Sequence, residues 1–278
     1  MWNPITLAKL TYAMWNKDHK LDTDHEGEMN AGDIAVAINT VMEFPSNLKV
    51  VLKLRQTEKG RDILWGRKDK SEDYQRTVVI PTLTDISMMS KLAPNTIGGH
   101  YKHLVNQWSF TELWEKRFSS TTIGSNGARI ESNWRDEVRS NISRHVFLCH
   151  DFQHVLFRYD TTRMGEMCIQ AVTAAMLGHW GPRYTSTVIA LKLCYDFKSW
   201  EPMRIRKEAF KLATSADASL WLVNPLDMLN KDVEEGRAEF NIGFPTRFAK
   251  FVKLHKENFR LDNIHPEYND VKWEMETV

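Results

Sequence analysis

The chain is poor in cysteine. Cys149, Cys168 and Cys194 are an odd number and show no Cys-x-x-Cys spacing. That excludes a disulfide framework and a thiolate zinc site, and it fits a reducing compartment. Long apolar runs are also missing. No stretch approaches the roughly 20 residues that a membrane-spanning helix needs. Excess charge of one sign is absent too: 37 Lys and Arg stand against 36 Asp and Glu. Nothing therefore argues for nucleic acid or a strongly acidic partner. Mixed clusters such as Arg67-Lys68-Asp69-Lys70 read as a solvated face. The amino end, Met1 to Lys20, has no arginine and contains Asp18, so it reads as neither a signal peptide nor a transit peptide. No internal repeat is visible, and no linker divides the chain into equal domains.

What is present is helical periodicity and an ordinary globular composition with a high count of 10 tryptophans. At 278 residues the chain can bury a substantial core. Residues 33–44 place Ile34, Ala37, Ile38, Val41 and Met42 on one stripe, and Ser46 can cap a helix to about Arg55. A short helix is expected from Lys59 to Trp65, then a charged loop to about Tyr74. Thr77-Val78-Val79-Ile80 is β-branched and reads as extended, with Pro81 limiting it. Further helices are expected at 83–92, 98–107, 134–157, 164–177, 184–197 and 202–215. Ser119 to Arg129 is the clearest loop, and an insertion is the better reading of it than a lid. The expectation is one all-α, mainly helical domain at 30–255, an amino-terminal extension at 1–29 and a charged tail at 256–278.

Chemistry concentrates in His150-Asp151-Phe152-Gln153-His154, followed after eleven residues by Glu166. Histidines at i and i+4 share one face of a helix and can grip one divalent ion. Asp151 is rotated about 100° around the axis and could ligate or act from behind a ligand. On one straight helix Glu166 would lie roughly 18 Å from His154, so it joins the site only if the chain folds back. Arg158-Tyr159-Asp160-Thr161-Thr162 offers such a break, with residues that cap helices and form turns. Gly178 suits the end of the second helix. The spacing predicts a metal-binding helix hairpin with His150, Asp151, His154 and Glu166 as candidate ligands and catalytic residues. Oxygen and imidazole donors favour zinc, iron, cobalt or manganese and do not separate these four. Cys149 points about 100° away from His150 and reads as core.

This motif resembles that of the coenzyme Q biosynthesis protein 4 family. Leu92-Ala93-Pro94-Asn95-Thr96-Ile97-Gly98-Gly99-His100-Tyr101 is similar to that family's Leu-Pro-x-x-Ser/Thr-x-Gly-x-x-Tyr segment. Lys59-Gly60-Arg61-Asp62-Ile63-Leu64, Leu177-Gly178 with Gly181-Pro182, and Arg237-Ala238-Glu239-Phe240-Asn241-Ile242-Gly243 resemble further family segments in the same order. The likeness spans about residues 33–248; the amino-terminal extension has no counterpart, and the loop at 119–129 is longer than usual.

The resemblance implies a mainly helical fold and ubiquinone biosynthesis. The implied reaction is metal-dependent oxidative decarboxylation at C1 of a polyprenylated 4-hydroxy-3-methoxybenzoate. The expected partners are that lipid substrate, or another isoprenoid lipid, and other quinone-biosynthesis proteins. A membrane surface and a homodimer are further expectations. Without a presequence, a cytoplasmic protein, peripheral on the inner membrane of a bacterium, is expected. The isoprenoid tail would need an apolar groove, for which Ala171, Ala174 and Ala175 offer small residues, against a plain helix-packing role. Trp2, Trp15 and Trp200 are candidates for a membrane interface or for core packing. A rival reading is a non-catalytic lipid-binding scaffold with a structural metal. A metallohydrolase is a third, weakened because Asp151 is one methylene short of the usual glutamate base.

Overall fold

The computed structural model describes residues 4–16, 50–105 and 134–255. Nine helices of seven residues or more carry the described fold: α1 (Pro4–Asn16), α2 (Glu58–Leu64), α3 (Ile97–Val105), α4 (Trp134–Phe157), α5 (Arg163–Leu177), α6 (Trp180–Asp196), α7 (Glu201–Ser215), α8 (Val233–Glu239) and α9 (Thr246–Leu254). The described residues contain no strand, only an isolated bridge between Thr96 and Asp232. The all-α architecture is thus as the periodicity implies. None of the described helices is long and apolar enough to cross a membrane.

Helix α5 is the structural axis. Twelve of its residues are buried, among them Met167, Cys168, Ile169, Ala171 and Val172. A helix apolar on nearly every face must be surrounded, and α6 and α7 pack closely against α5 while α4 crosses it. Ala171 and Ala174 are therefore packed core residues, and Ala175 is half-buried. Local chemistry sets the ends of the central helices. The Thr162 hydroxyl accepts from Gly165 N–H at the start of α5, and Gly178 takes the left-handed conformation at its end (φ 71°). His179 then caps α6 by accepting from Gly181 N–H at 3.0 Å. That cap starts α6 four residues before the expected Tyr184. Pro182 is accommodated in the first turn, where its missing N–H has no intrahelical partner to lose.

Two other expectations are corrected. Thr77–Ile80 is helical, not extended: a π-helical turn at Gln75–Val79 runs into Ile80–Thr84, with Pro81 in the first turn of the latter. The helix expected at 83–92 breaks at Asp85, whose carboxylate caps a new short helix, Ile86–Met89, by accepting from Met88 N–H at 2.9 Å. Near the amino end, α1 packs on α6 through buried Leu7, through a 2.9 Å hydrogen bond between Thr11 and Tyr184, and through the rings of Trp15 and Tyr195. Trp200 is exposed. The helix at 33–44, the loop at 119–129, the tail from 256 and Trp2 lie outside the described residues.

Candidate metal centre

Helix α4 ends in a way that builds the site. Its last carbonyls have no partner within the helix and must find one. Arg158 takes a left-handed conformation (φ 58°) and turns the chain, so that Tyr159 N–H reaches the His154 carbonyl at 3.1 Å. The next two carbonyls, of Val155 and Leu156, accept from the Arg237 guanidinium at 2.8 and 3.1 Å. Left-handed backbone costs a non-glycine residue roughly 1–2 kcal/mol. Arg158 offsets this with paired hydrogen bonds to Glu234 at 2.7 and 2.8 Å and by stacking over Phe244. Glu234 also pairs with Arg237, so α8 fastens both the turn and the helix end.

The turn sends the chain straight into α5. Asp160 is fully buried, and its Oδ1 accepts from Thr162 N–H at 3.2 Å and from the Thr162 hydroxyl at 2.6 Å. Burial pushes its carboxyl up to about 6, against the opposing pull of Thr162 and His154. Gly165 is required here: a Cβ would lie 1.9 Å from the Asp160 carbonyl oxygen. The tight crossing leaves Glu166 in the first turn of α5, facing α4.

Three of the four sequence candidates converge. Glu166 Oε2 lies 3.3 Å from His150 Nε2, and Glu166 Oε1 lies 3.3 Å from His154 Nε2. The two Nε2 atoms are themselves 3.3 Å apart, their rings set edge to face. One donor atom from each of the three residues falls within 4.8 Å of the others. The fold-back that the turn residues imply does bring Glu166 to the histidines. Asp151 is outside this trio, although its charge reaches His154 and the buried Tyr101 phenol.

The donor set suits a cation. His154 is buried, and its Nδ1–H donates to the Tyr159 carbonyl at 3.1 Å. With the proton on Nδ1, the Nε2 lone pair is directed toward Glu166 and His150. Two imidazole lone pairs and a carboxylate that converge repel one another unless something positive lies between them. A proton on His154 is one answer. Burial alone would lower the histidine, but Glu166, Asp151 and the Tyr159 carbonyl overcome this and raise it to about 9. Burial likewise works to raise Glu166, but the two histidines overcome it and hold the carboxyl well below the ordinary carboxylate range. A metal ion is the other answer. Ligands at about 2.1 Å around a tetrahedral ion stand about 3.4 Å apart, close to the 3.3 Å separations among these atoms. The residues fit such an ion. His150 and Glu166 each remain about a quarter exposed, which gives the trio an open side.

The motif reading missed the supports. The Tyr159 carbonyl orients His154, and Arg237 completes α4 from more than eighty residues away. Arg237 does lie in one of the segments that carry the family resemblance. Its partners on α4 are backbone atoms, which have no sequence signature. Cys149 is buried beside His145, as expected of a core residue, and burial pushes its thiol up to about 12.

No protein-family model matches the sequence, and no curated protein matches it either. Among solved structures, the fold is similar to that of a Nostoc punctiforme protein with a provisional ubiquinone-biosynthesis name, at a TM-score of 0.55 and 14% identity. The similarity covers 86% of this chain and 98% of that one. At that identity the likeness establishes a shared fold.

Proposed function

We propose that the protein is a metal-dependent enzyme of ubiquinone biosynthesis. It removes the C1 carboxylate of a polyprenylated 4-hydroxy-3-methoxybenzoate and replaces it with hydroxyl, with dioxygen as oxidant. The convergence of His150, His154 and Glu166 on one point carries this reading. The motif resemblance and the fold shared with the Nostoc punctiforme protein support the pathway.

His150, His154 and Glu166 hold the ion. Bound there, the ion supplies positive charge to the oxygen atoms of the reacting groups. The chain does the rest. Tyr159 fixes the His154 ring, and Arg237 with Glu234 keeps the end of α4 from fraying beneath it. Asp151 acts through its charge on His154 and does not ligate. Three protein donors leave coordination positions free, which suits a reactive site better than the closed four-ligand cage of a structural zinc. That favours the enzyme over the scaffold.

The test is turnover by purified protein. Samples loaded anaerobically with iron(II), zinc, cobalt or manganese receive the prenylated benzoate and dioxygen, and products are followed by mass spectrometry. Hydroxylated, decarboxylated product that disappears on chelation is the expected result. Stoichiometric zinc, a generic co-purified lipid and no turnover with any metal would instead identify a scaffold.

A further inference from the structure

Helix α5 meets α4 through residues two turns apart. Glu166 meets His150 and His154, and Thr173 donates its hydroxyl hydrogen to Gln153 Oε1 at 3.5 Å. Gln170 stands between them, four residues after Glu166 and three before Thr173. Positions i, i+4 and i+7 share one face of a helix. Two contacts with α4 therefore bracket Gln170 and put it on the face of α5 that meets α4.

The Gln170 Oε1 atom is buried and accepts no hydrogen bond. A buried acceptor without a partner costs about 1–3 kcal/mol. The neighbours on α4 do not relieve it. His150 and His154 turn Nε2 toward Glu166, and no side chain of α4 donates to the Gln170 oxygen. Gln170 thus lies one helical turn along α5 from Glu166, a member of a three-donor centre with an open side, and its orphaned oxygen needs a proton-bearing partner.

We infer that Gln170 is a positioning residue of the metal centre. Its Oε1 accepts a hydrogen bond from an oxygen ligand that carries a proton, water or a hydroxyl group, and so orients the ligand that completes the coordination left open by His150, His154 and Glu166. The inference rests on the metal reading of that trio. Gln170 does not hold the ion. A neutral acceptor favours the protonated ligand, and a carboxylate in its place would favour it more strongly.

The experiment uses the full chain loaded with cobalt(II), whose visible spectrum reports the ligands directly. Wild type, Gln170→Glu and Gln170→Leu are titrated from pH 6 to pH 10, and metal content is measured alongside. All three should bind one cobalt. The spectral midpoint should rise by about 1–3 pH units in Gln170→Glu and should fall in Gln170→Leu. If Gln170→Leu does not fold, Gln170→Glu, which has nearly the same shape, carries the test alone. An unchanged midpoint in the folded variants, or loss of cobalt from Gln170→Glu, would overturn the role of Gln170 and leave the metal reading intact. A wild-type chain that takes up no cobalt, zinc, iron or manganese would overturn the metal reading itself, and this inference with it.

Discussion

The imidazole of His154 is held from behind by Tyr159, whose carbonyl accepts Nδ1–H at 3.1 Å while its own N–H bonds to the His154 carbonyl at 3.1 Å. Two hydrogen bonds between the same two residues tie the end of α4 to the orientation of a candidate metal ligand. The turn that stops the helix and the contact that aims the ring are one feature. Interactions of this kind behind a metal ligand are typically worth 10–100-fold in affinity.

Alanine at His150, His154 or Glu166 should remove metal from the purified protein, read by elemental analysis. Asp151→Ala should keep metal at near wild-type stoichiometry and weaken affinity by no more than about 10–100-fold, as for a residue acting behind a ligand. Equal loss from Asp151→Ala and His154→Ala would make Asp151 a direct ligand.

Metal affinity and apo-protein stability should run in opposite directions between about pH 6.5 and 9. In the apo protein His154 is raised from 6.5 to about 9, so its contribution to stability is full below 6.5 and is lost as pH climbs to about 9. Glu166 is lowered from 4.5, so its contribution is present above 4.5 and is lost in acid. The pair therefore stabilises the apo protein most between about pH 4.5 and 6.5. A metal must displace the His154 proton, so its affinity should rise across pH 6.5 to 9. Melting temperatures with and without zinc across that range should diverge steadily, and a constant gap would contradict the assignment.

Gly165→Ala should destabilise the fold severely. The added Cβ would meet the Asp160 carbonyl oxygen at 1.9 Å and Oδ1 at 2.4 Å, and the backbone atom cannot rotate away. Overpacking costs typically 1–3 kcal/mol, and a clash with main chain at the base of the hairpin belongs at or above the top of that range. Urea denaturation measures it. Metal affinity should fall as well, because Glu166 is the next residue.

Arg237→Met should strand the Val155 and Leu156 carbonyls, each an acceptor whose loss of partner costs about 1–3 kcal/mol. A total of about 2–6 kcal/mol is expected from denaturant unfolding, with weaker metal retention. Glu234→Gln should cost less than about 1 kcal/mol, since that carboxylate is largely exposed.

Much of this protein is legible in its residues. His150 and His154 stand one turn apart wherever α4 forms, and turn-forming residues between Arg158 and Thr162 force a second helix to begin near Glu166. Those are local matters of helical period and capping, so sequence alone determines them. The tertiary structure decided the rest. It put Asp151 beside the trio, turned Thr77–Ile80 into helix in spite of its β-branched residues, and brought Arg237 from α8 to close the end of α4. Each of these depends on which distant surface a segment is packed against, and packing satisfies backbone groups and buries faces across separations that no spacing rule spans.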